Sequence, residues 1–201
     1  MRKVGVLISG RGSNLQALID AGAAGTLGGE IAVVVSNVES AAGLEKARRS
    51  GIAAHFRDHR GRPREEFDRD VLGLLDEHQV DLVCLAGFMR RLSSLFIRAR
   101  PGRILNVHPS LLPAFPGLEP HKQALAYGAK VSGATVHFVD EGLDSGPILL
   151  QEAVAVHEAD TEEALAARTL EVEHRLYPRA VRIVLEERYR VEGRRVRLLE
   201  A

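Results

Sequence analysis

Two polar residues that could act on a carbonyl group stand two positions apart, Asn106 and His108, and a proline follows them. In an extended strand, alternation places Asn106 and His108 on one side and Val107 on the other. An amide donor beside a titratable imidazole suits a carbonyl group that becomes a tetrahedral oxyanion. Pro109 and Pro113 keep the following residues out of a helix. Such a pair alone is often structural, but an irregular loop at the carboxyl end of a parallel strand favours catalysis.

A glycine-rich segment, Gly10-Arg11-Gly12-Ser13-Asn14, follows the first apolar run. The backbone N–H groups of such a loop, with a helix N-terminus behind it, offer unpaired donors and a positive dipole end to a phosphate. Leu15 stands where the third glycine of a dinucleotide fingerprint would fall, which disfavours a nicotinamide cofactor. The segment predicts either a phosphate-binding loop or an ordinary strand-to-helix turn.

Three other groups carry weaker signals. Asp144 lies in a glycine-flanked turn, where an aspartate most often satisfies its own backbone. His55 and His59 stand four apart without a third ligand near them in the sequence, so we expect no metal site. The single cysteine, Cys84, lies in the apolar run 80–86 and is expected to pack as a small hydrophobe rather than to act as a thiol.

These residues must be positioned by elements that alternate between strand and helix through the first half of the chain. Glycines and prolines mark several of the predicted ends. The patterns predict strands at 3–9, 31–35, 52–56, 80–86 and 103–107, and helices after Asn14, at 41–49, from Pro63 and at 94–99. Such alternation predicts a mostly parallel sheet.

The second half has a different pattern. Two strand-like runs, 131–139 and 148–156, are joined by too little chain for a helical crossover and are expected to be antiparallel. A capping box at Asp160 to Glu163 predicts a helix that runs toward Pro178 and beyond, and the last arginine-rich residues predict a solvated hairpin. The sequence therefore predicts an α/β fold: one Rossmann-like domain over residues 1–201 with a mixed, mostly parallel sheet flanked by helices.

Composition limits the partners. The chain has 201 residues, of which 45% are hydrophobic, and it carries 27 Lys and Arg against 27 Asp and Glu. A net charge of zero argues against a nucleic-acid partner. No apolar run approaches the ~20 residues that a membrane helix needs, and the apolar part of the N-terminus is too short for a signal peptide. We expect a cytoplasmic protein with no membrane partner.

Four segments together resemble the folate-dependent phosphoribosylglycinamide formyltransferases of purine biosynthesis. They are Ser9 to Ala17, Leu85 to Arg90, Asn106 to Pro113 and Leu143 to Pro147, and they match in order and spacing across nearly the whole chain. The resemblance implies transfer of a formyl group from the co-substrate 10-formyltetrahydrofolate to the amino group of glycinamide ribonucleotide. It also implies direct attack of the amine through a tetrahedral intermediate, without a metal.

The resemblance also implies roles for individual residues. Asn106 would bind the formyl oxygen, His108 would act as general acid or as a cationic stabiliser of the oxyanion, and Asp144 would pair with His108 and assist proton removal. Glu173 would hold the ribose side of the substrate. The residues implied for the phosphate loop are Arg11, Gly12, Ser13, Asn14 and Leu15.

Spacing supports Glu173 independently of the resemblance. Ala166, Leu170, Glu173 and Tyr177 follow one helical stripe, so a charge interrupts a largely apolar face. A charge at such a position needs a partner.

For the folate, the resemblance points to two segments within residues 85–147 and to one distant arginine. The first segment is the backbone around Met89, Arg90 and Leu92, and the second is the loop that begins with Asp140 and Glu141. Arg64 would lie near the other end of the carrier, although an arginine beside two glutamates on a helix is often merely solvated.

Two further positions bear on a second active-site histidine. Relatives often have a histidine where this chain has Glu119, two residues before His121. The role of a second active-site histidine therefore stays open. His137 is expected either near the site or as a satisfied core histidine.

Other functions share the same constellation. Relatives formylate methionyl-tRNA or hydrolyse formyl-folate, but they carry additional domains that we do not expect here, and zero net charge disfavours tRNA. A non-catalytic nucleotide or folate sensor is a further alternative, which the intact Asn106, His108 and Asp144 oppose. Both a monomer and a homodimer remain compatible with the sequence.

Overall fold

The fold begins with a buried strand, β1 (Lys3–Ile8), in which every residue after Lys3 is shielded from solvent. Burial on both faces is typical of a parallel strand covered by helices. The computed structural model describes residues 1–199 and divides the chain into two units, Met1–Leu105 and Asn106–Ala201. A single domain over residues 1–201 stays a prediction, and its last two residues lie outside the described part.

The first unit is a parallel sheet with helices between its strands. β1 pairs with β2 (Glu30–Ser36) and with β4 (Leu82–Leu85), and β2 pairs with β3 (Ala53–Phe56), all in parallel. The strand order in this unit is therefore β3-β2-β1-β4. Its helices are α1 (Ser13–Ala23), α2 (Ala42–Arg49), α3 (Arg64–Glu77) and α4 (Ser94–Ala99).

Cys84 lies in β4 in register with Val6 of β1, and both side chains are completely buried. This placement confirms the prediction that the cysteine packs as a small hydrophobe. β5 (Ile104–His108) begins in the first unit and ends in the second, because the boundary falls between Leu105 and Asn106.

The second unit combines antiparallel and parallel pairs. β6 (Val131–Phe138) and β7 (Ile148–Ala155) pair antiparallel, as their short connection predicted. β8 (Tyr189–Glu192) and β9 (Arg195–Leu198) form the expected hairpin, and β9 pairs with β7 in parallel. The helices of this unit are α5 (Pro120–Tyr127) and α6 (Glu162–Leu185). Over both units the strand pairs are mixed and mostly parallel, which confirms the predicted α/β class.

Helix α6 starts differently from its prediction. The expected capping box began at Asp160, but the N-cap is Thr161, whose hydroxyl accepts the backbone N–H of Ala164 at 3.2 Å. Asp160 instead accepts two hydrogen bonds from Arg168, at 2.7 and 2.8 Å. Thr161 therefore caps the helix, because Asp160 is bound by Arg168 from within the helix.

The buried face of α6 also lies slightly away from the expected stripe. Ala166 and Leu170 are only half-buried at its edge, and the helix continues through Pro178 to Leu185. The buried residues of the first four turns are Leu165, Thr169, Val172, Glu173, Leu176 and Tyr177. Glu173 thus interrupts a buried face, as predicted. Every helix within residues 1–199 is too short or too polar to cross a membrane.

Candidate active site

The second unit brings four polar side chains together at the ends of its strands. Asn106 and His108 lie within the last three residues of β5, and His137 lies near the end of β6. Asp144 lies in the connection between β6 and β7. His108 is 5% exposed and His137 is 2% exposed. Because the cluster is shielded from water, its hydrogen bonds and charges act more strongly than they would on the surface.

His108 meets an oxygen acceptor at each ring nitrogen. Its Nε2 lies 2.9 Å from the carbonyl oxygen of Phe115, and because a carbonyl only accepts, this nitrogen carries a hydrogen. Its Nδ1 lies 3.5 Å from Oδ2 of Asp144. A neutral ring would turn a lone pair toward the carboxylate, whereas the imidazolium presents a donor to both oxygens. The carboxylate of Asp144 is therefore placed to accept a hydrogen bond from Nδ1 whenever that nitrogen carries a hydrogen.

His137 is buried beside the same carboxylate. Its burial lowers its pKa, although the carbonyl of Phe138 and the carboxylate of Asp144 act in the other direction. Nδ1 donates to the Phe138 carbonyl at 2.9 Å, so in the neutral ring Nε2 is the acceptor. That acceptor faces Nδ2 of Asn106 at 3.2 Å. His137 consequently fixes the orientation of the Asn106 amide and leaves its second N–H hydrogen for another partner.

Asp144 occupies a backbone conformation that is unfavourable for a residue with a Cβ. Its φ is 47°, in the left-handed region. Oδ2 accepts the backbone N–H of Gly117 at 2.8 Å, and Oδ1 lies 3.8 Å from Nε2 of His137. Strained conformations of this kind concentrate at functional sites, where the surrounding contacts hold them.

Thr135 holds the loop that follows His108. Its hydroxyl donates to the carbonyl of Ser110 at 2.6 Å and accepts the N–H of Leu112 at 3.0 Å. Gln151 donates both to this hydroxyl and to the carbonyl of Leu112, at 2.9 and 2.7 Å. These bonds fix the irregular loop predicted from Pro109 and Pro113.

In the first unit, the glycine-rich segment forms the turn from β1 into α1. Gly12 is the N-cap, with φ 67° and ψ 44°, and it provides no side-chain cap. A Cβ at Gly12 would lie 2.8 Å from the Cα of Gly43, so both the conformation and the space require glycine. The predicted phosphate loop thus ends at a helix N-terminus with its backbone donors uncapped by a side chain, which suits an anion.

The other residues predicted for this loop differ in exposure. Arg11 is exposed and Ser13 is the first residue of α1. Asn14 is 8% exposed and the side chain of Leu15 is completely buried. Leu15 could therefore contact a ligand only through its backbone.

The residues predicted for the folate lie in both units. In the first, Met89 is 70% exposed, Leu92 is half-buried and Arg64 is exposed at the start of α3. The guanidinium of Arg90 lies 4.9 Å from the centroid of the Phe67 ring.

In the second unit, the folate and ribose predictions fall on a loop and a helix. Asp140 is half-buried and accepts hydrogen bonds from Gly142 and Ser145, and Glu141 is exposed beside it. Glu173 lies in α6 and is 6% exposed.

Comparison with known proteins decides the family. The sequence model of the formyl transferase family matches residues 2–181. The chain belongs to the formyl transferase family. Phosphoribosylglycinamide formyltransferase of Escherichia coli strain K12 is 48% identical over 174 residues, which are 86% of this chain and 82% of that protein.

Two further similarities extend the formyl transferase assignment. The crystal structure of glycinamide ribonucleotide transformylase 1 from Symbiobacterium toebii matches with a TM-score of 0.98 and 53% identity, over 100% of this chain and 95% of that one. The trifunctional purine biosynthetic protein adenosine-3 of Gallus gallus is 50% identical over 183 residues, 90% of this chain. The chain spans only 18% of the length of that trifunctional relative. The resemblance predicted from the sequence is thereby confirmed.

The departure from the family pattern at Glu119 has a structural counterpart. Glu119 is exposed, forms the left-handed N-cap of α5 and lies 3.5 Å from Lys122. His121, two residues further on, is half-buried, and burial, followed by electrostatic repulsion from His108, lowers its pKa. His121 and His137 are therefore the histidines near His108, and both favour the neutral form.

Two sets of contacts near the predicted phosphate and folate segments could not be predicted from the sequence. Lys46 of α2 donates to the carbonyl of Gly12 at 3.3 Å. Ser9 donates to Oδ1 of Asn37 at 2.6 Å and accepts the N–H of Met89 at 2.8 Å. Neither contact has a local sequence signal, since each joins residues that are far apart in the chain.

Within residues 1–199, no three His, Cys, Asp or Glu side chains converge in a way that could hold a metal ion.

Proposed function

We propose that the chain transfers the formyl group of 10-formyltetrahydrofolate to the amino group of glycinamide ribonucleotide in purine biosynthesis. The observation that carries the proposal is the juxtaposition of the His108 imidazole, an oriented Asn106 amide and the Asp144 carboxylate in a member of the formyl transferase family. The chain's similarity to the E. coli phosphoribosylglycinamide formyltransferase supports this acceptor.

The oxyanion forms beside His108 and Asn106. When the amine attacks, the carbonyl electron pair moves onto the formyl oxygen, and a positive donor stabilises this state more than the neutral ground state. The carbonyl oxygen of Phe115, 2.9 Å from Nε2, occupies the position of an acceptor for that donor. The formyl oxygen takes over this hydrogen bond and receives a second one from the free N–H hydrogen of Asn106.

Asp144 receives the proton that leaves the amine. As the new carbon–nitrogen bond forms, the amine nitrogen becomes positive and must lose a proton before the folate nitrogen departs. Asp144 is the carboxylate beside His108, at 3.5 Å, and its Oδ1 faces the same cluster. The proton passes to this carboxylate directly or through one water, and the same proton is returned to the folate nitrogen as its bond to the formyl carbon breaks and the carbonyl re-forms.

The ribonucleotide and the folate are assigned to the residues that the family resemblance implies for each of them. The loop from Arg11 to Leu15 binds the phosphate with its backbone donors, and buried Glu173 binds the ribose hydroxyls. The folate contacts the backbone of Met89, Arg90 and Leu92 and the loop at Asp140 and Glu141, and Arg64 attracts its terminal carboxylate.

The remaining parts of the proposal concern the state of the protein. We infer one formyltransferase domain, monomeric or homodimeric, that acts in the cytoplasm without a metal and without a nucleic-acid or membrane partner. Balanced charge supports the absence of a polyanionic partner. The hydrogen-bond donors at the oxyanion site stabilise the negative charge on the formyl oxygen, which a metal ion does in metal-dependent acyl transfer.

An acceptor comparison tests the proposal. Purified protein is assayed spectrophotometrically with 10-formyltetrahydrofolate and, in turn, glycinamide ribonucleotide, methionyl-tRNA or water alone, each with and without a chelator. We expect rapid turnover only with glycinamide ribonucleotide, and the same rate with chelator. Equal turnover in water alone would indicate a hydrolase, transfer to methionyl-tRNA would indicate a different transferase, and binding of both ligands without turnover would indicate a sensor.

A further inference from the structure

The loop that carries Asp144 is closed by short-range contacts. Oδ1 of Asp140 accepts the N–H of Gly142 at 3.1 Å and the hydroxyl of Ser145 at 2.7 Å. The N–H of Phe138 donates to the carbonyl of Pro147 at 2.9 Å, which joins the two ends of the loop. The left-handed conformation of Asp144 persists only while such contacts hold it, because a relaxed loop would return this residue to a commoner conformation.

The C-terminal hairpin, β8 and β9 with their two-residue turn Gly193-Arg194, reaches this same loop. Nη2 of Arg194 donates to the carbonyl of Ser145 at 2.7 Å, across 49 positions of sequence. The ring of Tyr189 lies 5.3 Å from that of Phe138, the residue whose carbonyl orients His137. The hairpin therefore contacts the loop next to Asp144 and also the strand end before it.

The hydrogen bond from Arg194 to the Ser145 carbonyl opposes displacement of the loop. A guanidinium forms a stronger hydrogen bond to a carbonyl than a neutral donor does. It acts on the residue directly after Asp144, so a shift at Ser145 changes the ψ of Asp144 and moves its carboxylate relative to His108. The match to the formyl transferase family ends at residue 181, before the hairpin begins. The supporting segment thus lies outside the residues that the family model matches.

We propose that the C-terminal hairpin positions the catalytic loop, and that Arg194 is its positioning residue through the hydrogen bond to Ser145. Arg194 does not touch the reacting atoms; it keeps Asp144 where the carboxylate meets His108 and the N–H of Gly117. The effect on the loop is independent of the reaction, whereas its effect on turnover rests on the proposed function.

The test compares Arg194→Ala and Arg194→Lys with a matched control, Arg190→Ala. Arg190 is an exposed arginine of the same hairpin, opposite Arg197 in the backbone register. Hydrogen–deuterium exchange of the backbone amides at 139–147 reports the loop directly. Arg194→Ala is expected to speed this exchange about 3- to 10-fold and to lower kcat by a similar factor, since one charge-assisted hydrogen bond is lost.

The pattern across variants separates positioning from a general loss of stability. In Arg194→Ala the KM for the ribonucleotide and the thermal midpoint stay near their wild-type values, because the side chain is exposed and the hairpin pairing is retained. Arg194→Lys restores part of kcat, since an ammonium can also donate to the Ser145 carbonyl. Arg190→Ala behaves like wild type in both measurements.

Two results would overturn the inference. Unchanged exchange at 139–147 in Arg194→Ala would show that the hairpin does not hold the loop, whether or not the protein has the proposed activity. Faster exchange with unchanged kcat in an active wild-type enzyme would show that the hydrogen bond does not position Asp144 for the reaction. A wild-type protein that transfers no formyl group would instead count against the proposed function, and the exchange data would still decide whether the hairpin holds the loop.

Discussion

His108 and His137 lie in one cluster, yet they face different partners. His108 faces a carbonyl and a carboxylate, both of which are hydrogen-bond acceptors. His137 is more deeply buried, and its Nε2 accepts from Asn106. In the proposed reaction His108 would donate to the oxyanion, while His137 would orient the amide beside it, so that two histidines with distinct surroundings divide the roles.

Asp144→Asn tests this division at the residue scale. Asparagine tolerates the left-handed conformation and can still accept the N–H of Gly117, so the loop should remain in place. The neutral amide can neither stabilise the imidazolium of His108 nor take a proton from the amine. We expect kcat to fall by about 10²- to 10⁴-fold, measured with saturating folate and ribonucleotide.

A double-mutant cycle provides the control for that prediction. His108→Ala should lower kcat by a similar factor, and the double variant should lose much less than the product of the two, because the residues act as a unit. Glu158→Gln makes the same chemical change at an exposed carboxylate and should leave kcat unchanged. Multiplicative losses in the cycle would mean that Asp144 and His108 act independently.

Part of this residue-scale arrangement could be predicted from the sequence. Alternation placed Asn106 and His108 on one side of a strand, and the resemblance added Asp144. The acceptor role of the Phe115 carbonyl and the orienting role of His137 could not be predicted, because a tautomer depends on partners brought in by folding.

At the scale of elements, the loop proposed to bind the phosphate depends on the packing of α1 against α2. The N–H of Gly43 donates to the carbonyl of Gly10 at 3.1 Å, and Lys46 of α2 donates to the carbonyl of Gly12. A helix N-terminus and an ammonium group thus lie at one loop. Two independent sources of positive potential favour a phosphate more than a neutral group.

Lys46→Met tests whether that loop holds the ribonucleotide. The KM for glycinamide ribonucleotide should rise about 3- to 10-fold, as expected for the loss of one partly exposed cation, and the KM for the folate should stay unchanged. Arg48→Met removes an exposed cation from the same helix and should change neither KM. If Lys46→Met weakens both substrates equally, or neither, the loop is not the phosphate site.

The helices and strands differ in how strongly their sequence patterns predict them. The strands of the first unit were predicted because they are continuous apolar runs bounded by glycine or polar residues. Helix α5 was not predicted, although Pro120 at its first position and the left-handed Gly128 after its end are ordinary boundary signals. Its eight residues follow a proline-rich loop and carry a weak apolar stripe, so the hydrophobic periodicity that indicates a helix is faint there. The cap of α6 was misplaced by one residue because Arg168 binds Asp160, a contact that spacing alone does not reveal.

At the scale of the whole molecule, the balance of charge and the family assignment point the same way. Equal numbers of acidic and basic residues suit small anionic substrates held by local donors better than a long polyanion. The trifunctional relative from Gallus gallus contains a region similar to this chain within a much longer protein. The similarity to that relative therefore concerns this region alone.

The fate of the formyl carbon tests the central claim most directly. Enzyme is mixed with 10-formyltetrahydrofolate labelled with ¹³C in the formyl group and with glycinamide ribonucleotide, and the label is followed by NMR. We predict that the label appears in a new amide on the ribonucleotide with wild-type enzyme, and that its transfer is slowed by at least about tenfold with Asp144→Asn. Label released as formate, or transfer that proceeds at the wild-type rate in Asp144→Asn, would contradict the account.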